Sequence, residues 1–300
     1  MSRSLDGTCA LPHLGVIRAQ GEEAARFLHT QLTQDIALLR SDQARLAAFC
    51  NAKGRMLASF VGLKASPTEV LLVTSRDILP ATLKRLSMFV LRAKCKLRDA
   101  SSEFDLRGLA GAAAAPLAPW AQAHLTGGTA IGLHPADGVL RALWIAPAGT
   151  HPPSGPALDA QLWRWGEVRS GIATITAPVV DAFVPQMLNF ESVEGVNFKK
   201  GCYPGQEVVA RSQFRGTLKR RAFLAHSAGA LEAGQEIVDA ADPSQPCGMV
   251  VQSAPAPEGG TDAIVSIQLA VSGSATLHAG NAEGPAVALA PPPYPLLADI

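Results

Sequence analysis

Residues 199–207 read Lys-Lys-Gly-Cys-Tyr-Pro-Gly-Gln-Glu. The chemistry this set offers is that of a thiolate. Tyr203-Pro204-Gly205-Gln206 fits a type II turn, because Pro204 fixes φ at the second position and Gly205 permits positive φ at the third. The following residues, QEVVARSQF, read as the start of a helix, whose N-terminus carries partial positive charge and unpaired N–H groups. Seven basic residues (Lys199, Lys200, Arg211, Arg215, Lys219, Arg220, Arg221) lie between 199 and 221 against one acid, Glu207, although the whole chain carries only +1. Positive surroundings favour thiolate over thiol, and the thiolate is the nucleophile. The competing reading is a small packing residue beside a turn. A cysteine–histidine pair is a further route to activation, but none of the 7 histidines sits in a recognisable partner motif, and pairing in space is not visible in sequence.

The other four cysteines have duller surroundings. Cys95 falls on the apolar side of an alternating stretch, Cys50 ends an apolar run, Cys247 opens a strand-like run, and Cys9 lies in a segment read as a flexible terminus. The odd count, the wide spacings and the lack of any C-x-x-C argue against a disulfide framework or a zinc site.

The elements that must position this loop are legible in part. Residues 14–21 read as a strand. Residues 22–32 read as a helix with Ala24, Phe27, Leu28 and Leu32 on one face. Residues 44–50 and 55–63 are strand candidates joined by the turn Asn51-Ala52-Lys53-Gly54, and 69–75 is another strand. Residues 76–90 form a helix if Pro80 lies in its first turn. Residues 91–99 alternate strictly, with Leu91, Ala93, Cys95 and Leu97 opposite Arg92, Lys94, Lys96 and Arg98, which predicts a half-buried strand. Residues 110–119 are low in complexity and read as a loop. Residues 157–171 read as a helix stopped by Gly171, with Trp163 and Trp165 as packing residues. After 221, short strand-like runs alternate with Gly, Pro, Asp and Ser, the texture of a small β-barrel or sandwich.

Hydrophobic residues make up 48% of the 300 and charged residues 17%. That supports a sizeable core and argues against disorder. The balance of 26 basic and 25 acidic residues gives no firm nucleic-acid signal. The N-terminus shows no apolar core of a signal peptide, and no run of about 18 apolar residues implies a membrane span. The expectation is a soluble protein of a reducing compartment, the cytoplasm.

The stretch FVPQMLNFESVEGVNFKKGCYPGQEVVAR, 183–211, closely resembles the signature of the YgfZ-type folate-binding proteins, relatives of the glycine cleavage system T-protein. Their Lys-Gly-Cys-Tyr-x-Gly-Gln-Glu segment is matched from Lys200 to Glu207, and FLHTQLTQDI (27–36), NAKGRMLASF (51–60) and RSGIATI (169–175) follow in the expected order. The resemblance implies an α+β, multi-lobed, aminomethyltransferase-like fold around a central cavity, with a small C-terminal β-barrel. It implies a folate-binding region over 1–220, the barrel over 221–290 and an irregular tail over 291–300. It implies tetrahydrofolate or a one-carbon derivative as ligand, and a role in assembly or repair of iron–sulfur clusters, linked to tRNA modification and oxidative stress. Its partners would be iron–sulfur proteins or their assembly machinery and a tRNA-modifying enzyme. Cys202 is carried over as the catalytic candidate, and Lys200, Gln206, Glu207, Asn51 and Arg169 as folate-binding candidates; no metal site is implied.

Two departures matter. The T-protein's aspartate pair falls on Ala58 and Ser59 in a gapless match, and neither can supply a carboxylate's charge or take up its proton. The T-protein's pterin-contacting acid falls on Arg169, which cannot accept from a pterin's donor edge; Glu167 or Glu191 is the alternative acid. Two other readings compete with the accessory role. One is a folate-dependent one-carbon transferase. The other is a module that docks tRNA or a protein through the basic 199–221 segment.

Overall fold

The computed structural model describes residues 4–214 and 218–297. Chain order runs β1 (Gly7–Ala10), β2 (Leu14–Gln20), α1 (Ala24–His29), β3 (Ala44–Cys50), β4 (Met56–Ser66), β5 (Glu69–Ser75), α2 (Leu79–Ser87), β6 (Lys96–Asp99), β7 (Phe104–Ala110), β8 (Gln122–Leu125), β9 (Gly128–Ala136), β10 (Val139–Pro147), α3 (Ala160–Arg169), α4 (Gln206–Phe214), β11 (Arg220–Ser227), β12 (Glu236–Asp239), β13 (Gly248–Pro255), β14 (Thr261–Gln268), β15 (Leu277–Ala279) and β16 (Ala288–Ala290). Three sheets result, with strand orders β3-β4-β5-β2-β6, β1-β7-β10-β9-β8 and β15-β12-β13-β14-β11-β16. Every ladder between these strands is antiparallel. The architecture is α+β.

The first sheet is buried on both faces. In β2 and β5, Ile17 and Leu72 feed one apolar core, while Val16, Leu71 and Val73 feed a second. Period-two side-chain direction makes that division, and it explains why β5 reads as an unbroken apolar run. β3 turns into β4 through residues 51–55, where Asn51 N–H donates to the Arg55 carbonyl and Gly54 N–H to the Asn51 carbonyl, both at 2.9 Å. Pro80 lies in the first turn of α2, where no N–H is needed. The third sheet builds its own core from Ile237, Val250, Val265 and Ile267.

α3 begins at Asp159, whose carboxylate accepts from Gln161 N–H at 2.8 Å, an ordinary N-cap. It buries Trp163 against β7, and a Cβ on Gly108 would lie 2.5 Å from that indole. A side chain at 108 and a tryptophan at 163 cannot coexist. The chain's last described stretch crosses back over the molecule. Tyr294 Oη donates to the Gly171 carbonyl at 2.9 Å, its ring stands 5.8 Å from His134, and Leu297 N–H donates to Ser192 Oγ at 3.0 Å.

The structure corrects two expectations and adds a region. The strand over 91–99 shrinks to Lys96–Asp99, and Leu91 is 86% exposed. β6 pairs only with β2, whose last ladder residue, Gln20, faces Lys96; earlier residues have no partner strand. Cys9 is not in a flexible terminus but buried in β1, paired to β7. Residues 104–147, of which the sequence pattern speaks only for the loop over 110–119, supply four of the second sheet's five strands.

Candidate functional site

The cysteine loop is held at both ends. Gln206 N–H donates to the Tyr203 carbonyl at 3.2 Å and Gly205 has φ +79°, which is the type II turn read from Pro204-Gly205. α4 starts directly after it. The turn sits on the 51–55 hairpin: a Cβ on Gly205 would lie 2.3 Å from the Asn51 carbonyl and 2.6 Å from Gly54 Cα. Two glycines meeting back to back thus lock the two motifs together. At the other end Lys200, buried to 8% exposure, drives its ammonium into the C-terminal end of α1. It donates to the carbonyl of His29 at 2.5 Å, a group that the helix end leaves unpaired, and to that of Leu32, three residues beyond α1, at 2.9 Å. It also lies 4.6 Å from the Tyr203 ring centroid. Burial pushes Lys200 down to about 8, against the opposing pull of negative charge on Asp35 and Cys202.

Between these anchors Cys202 is exposed, whereas Cys9, Cys50, Cys95 and Cys247 are buried. Burial pushes the Cys50 thiol up to about 12 and those of Cys9 and Cys95 to about 11, so these three are held as thiols. Beside the loop, His29 Nδ1 and Asp35 Oδ1 lie 2.9 Å apart. A Cβ on Gly201 would stand 3.4 Å from His29 Nε2. Asp35 also accepts from Leu38 N–H at 2.9 Å. Burial works against its charge, but that bond and His29 hold the carboxyl below its ordinary value.

A second feature is a cavity of about 90 Å³ between the first two sheets and α3, whose lining includes Ser59, Trp120, His134, Arg141, Trp163 and Glu167. Arg141 is 4% exposed, its Nε has no partner, and its guanidinium stacks 4.4 Å from the Trp163 ring. Glu167 is the acid of this lining. It accepts from Trp163 Nε1 at 2.8 Å and lies 3.1 Å from His13 Nε2. Burial pushes its carboxyl up, but the His13 bond, the charges of His13 and Arg141 and the Trp163 bond leave it below its ordinary value. His134 is pushed down to about 4 by burial and by the charge of Arg141.

The candidates divide between several places. Lys200, Cys202, Gln206 and Glu207 share the loop and the first turn of α4, and Asn51 meets them through its carbonyl. The Asn51 side chain is occupied: Nδ2 donates to Asp181 at 2.6 Å, and Oδ1 accepts from the N–H groups of Lys53 and Arg55. Glu207 pairs with Arg211 at 3.6 Å on the exposed side of α4. Arg169 stands apart from both loop and cavity lining; it clamps Asp137 at 2.8–3.1 Å. Glu167, one of the two alternative acids, lines the cavity, while Glu191 is fully buried against Arg221. Ala58 is buried, and Ser59 Oγ accepts from Ile175 N–H at 2.9 Å. The basic segment is not one exposed patch, since Lys200 and Arg221 are both buried; Arg215 lies outside the described residues. His29, Asp35 and Arg141 were not singled out from sequence. The first two lie inside FLHTQLTQDI, six residues apart, a spacing with no motif value of its own.

No family model matches the chain. A solved structure titled as glycine cleavage system aminomethyltransferase T from Bartonella henselae superposes with a TM-score of 0.67, at 14% identity, over 95% of this chain and 85% of that one. The chain therefore has the aminomethyltransferase T-protein fold. A protein of Vibrio vulnificus named "tRNA-modifying protein YgfZ" is 29% identical over 238 residues, 74% of this chain and 70% of its own. One of the same name from Colwellia psychrerythraea is 30% identical over 230 residues, 72% of this chain and 70% of its own. With that identity over most of both chains, on a T-protein fold, the protein belongs to the YgfZ family.

Proposed function

We propose that the protein is a tetrahydrofolate-binding accessory factor for iron–sulfur cluster assembly or repair, serving a tRNA-modifying enzyme, with Cys202 as its working thiol. The observation that carries this reading is the contrast among the cysteines: four are buried, and the exposed one is held by a buried lysine and a glycine–glycine contact. An inert cysteine needs no such mounting. The relatives' name supplies the link to tRNA modification.

The cavity's donors and acceptors fit a reduced pterin. Glu167 offers a carboxylate to a donor edge, and Arg141 offers an N–H with no acceptor of its own. Trp120 and Trp163 add aromatic wall. At about 90 Å³ the space is below the roughly 300 Å³ of small-ligand pockets, so lining side chains must move for the ligand to enter. In this reading residues 1–220 form the folate-binding region around a central cavity, and the third sheet forms the C-terminal barrel. When bound, folate would supply a one-carbon carrier; Glu167 would orient it and Arg141 would answer its carbonyl. The transferase reading loses its acid pair at Ala58 and Ser59, the latter already committed to Ile175. The docking reading loses two cations to the interior.

Two measurements test the proposal. Titration with tetrahydrofolate should give heat and a thermal shift; by mass action about 1 mM ligand on a micromolar site stabilises by about 4 kcal/mol. Glu167→Gln should abolish most of that shift, and no shift in the wild type refutes the folate assignment. Cys202→Ala should fold and bind folate yet fail to restore iron–sulfur enzyme activity in cells; full complementation refutes the thiol's role.

A further inference from the structure

We propose that His29 is the proton acceptor for the Cys202 thiol and that Asp35 is the positioning residue that holds its imidazole. The inference rests on the reading of Cys202 as the working thiol. It assigns the site two residues that lie about 170 positions upstream.

The geometry has four parts. First, the Asp35 carboxylate lies 2.9 Å from His29 Nδ1. A carboxylate there takes the Nδ1–H, which leaves the lone pair on Nε2. Second, Nε2 has no hydrogen-bond partner among the described residues and is the atom that meets the cysteine loop, 3.4 Å from where a Gly201 Cβ would stand. The glycine before the cysteine leaves that face of the ring uncovered. Third, the Lys200 ammonium grips the His29 carbonyl at 2.5 Å. The backbone carrying the imidazole and the backbone carrying the thiol are thereby pinned to each other two residues from the sulfur. Fourth, His29 and Asp35 are each about one-fifth exposed, enough for a proton taken from the thiol to pass on to solvent. A nucleophile, a base and a group that orients the base are the general arrangement for activating a thiol.

The step balances without a co-reactant. Nε2 makes no direct hydrogen bond to Sγ, so the Sγ–H bond of Cys202 breaks, its electron pair stays on sulfur and the proton passes through one bridging water to His29 Nε2. The imidazolium keeps its Nδ1–H on the Asp35 carboxylate. The charged groups facing this cluster are the Lys200 ammonium from the loop and Asp35 from the segment after α1. Lys199 is exposed beside them, and on α4 Glu207 and Arg211 neutralise each other at 3.6 Å. The thiolate is then ready for a soft electrophile arriving from solvent. With iodoacetamide as probe, an S–C bond forms, the C–I bond breaks and iodide leaves.

The test is the pH profile of Cys202 alkylation by iodoacetamide in the full chain, read by peptide mass spectrometry, for wild type, His29→Gln and Asp35→Asn. Glutamine keeps a donor for Asp35 but cannot take a proton. At pH 7 His29→Gln should slow Cys202 alkylation about tenfold and move the profile toward higher pH, because the thiolate is the reacting form. Asp35→Asn should give a smaller shift in the same direction, because the ring keeps its base but its imidazolium loses the facing carboxylate charge. Cys50, buried at the end of β3 next to the Asn51 carbonyl that meets Gly205, reports whether the loop has opened. Profiles of both variants that superpose on the wild type, with Cys50 still protected, overturn the proposal. Should His29→Gln expose Cys50, the Asp35→Asn profile decides alone: a shift supports the relay, superposition overturns it. Cellular complementation by Cys202→Ala is a separate readout. If that variant complements fully while the His29→Gln profile shifts, the working-thiol reading fails and the proton-acceptor assignment stands.

Discussion

Replacing Gly205 by alanine tests whether the cysteine loop is mounted on the hairpin as described. Gly205 has φ +79°, where an L-residue costs roughly 1–2 kcal/mol. The added Cβ would also lie 2.3 Å from the Asn51 carbonyl oxygen and 2.6–2.7 Å from Gly54 Cα and N. All three are backbone atoms in a turn closed by its own hydrogen bonds, so no side chain can rotate away. Overpacking of this kind costs about 1–3 kcal/mol more, for a total of about 2–5 kcal/mol. Gly149 is the matched control. Its φ is +80°, but a Cβ there meets nothing within 4 Å, so Gly149→Ala should show the backbone strain alone, about 1–2 kcal/mol. Urea unfolding followed by tryptophan fluorescence gives both values at a common slope. The clash can be relieved only by lifting the loop off the hairpin, so Cys50 should also become reactive toward iodoacetamide in Gly205→Ala and not in Gly149→Ala. Two variants within about 0.5 kcal/mol of each other, the margin for independent sites, with Cys50 protected in both, would refute the mounting.

Glu191→Gln breaks the buried pair with Arg221 and should cost about 3–5 kcal/mol; an unchanged thermal midpoint contradicts it. His134 gives a pH signature. Its folded value of about 4 lies below the unfolded value near 6.5, so between those pH values the unfolded chain binds a proton that the folded chain refuses. Stability should therefore rise with pH from 4 to 6.5, and His134→Gln should flatten that limb in calorimetry. Leu91→Asp should change stability by no more than about 0.5 kcal/mol, since the side chain is 86% exposed; a loss of several kcal/mol would restore the half-buried strand. In native alkylation Cys202 should react first, and Cys9 should stay protected with Cys50, Cys95 and Cys247 until urea unfolds the chain.

The loop was legible because its determinants are local. Pro204 and Gly205 dictate their turn whatever packs on it, and the same holds for the 51–54 turn and for Pro80 at the head of α2. The stretch 91–99 shows the limit. Its alternation is real, but a strand also needs a partner, and β2 runs out at Gln20 opposite Lys96. Cys9 was misread because its short strand is fixed by ladders to residues about 100 positions away. His29 and Asp35 were invisible for a related reason: their meaning lies in Lys200, which reaches the end of α1 across about 170 residues. Arg169 and Glu167, two positions apart on α3, look interchangeable in sequence. The helix points one at Asp137 and the other into the cavity.

The chain contains 2 tyrosines, and the fold has dealt one to each region of interest. Tyr203 lies under the Lys200 ammonium beside the thiol. Tyr294 lies in the strap across Gly171, its ring against His134 of the cavity wall. Fluorotyrosine incorporation would therefore give a spectrum of two resonances, each a resident reporter needing no engineered label. A reduced folate entering the cavity should move the Tyr294 signal and leave its companion in place, and alkylation of Cys202 should do the reverse. If both signals answer to either treatment, the two regions communicate, and the path between them could then be traced by substitution one residue at a time.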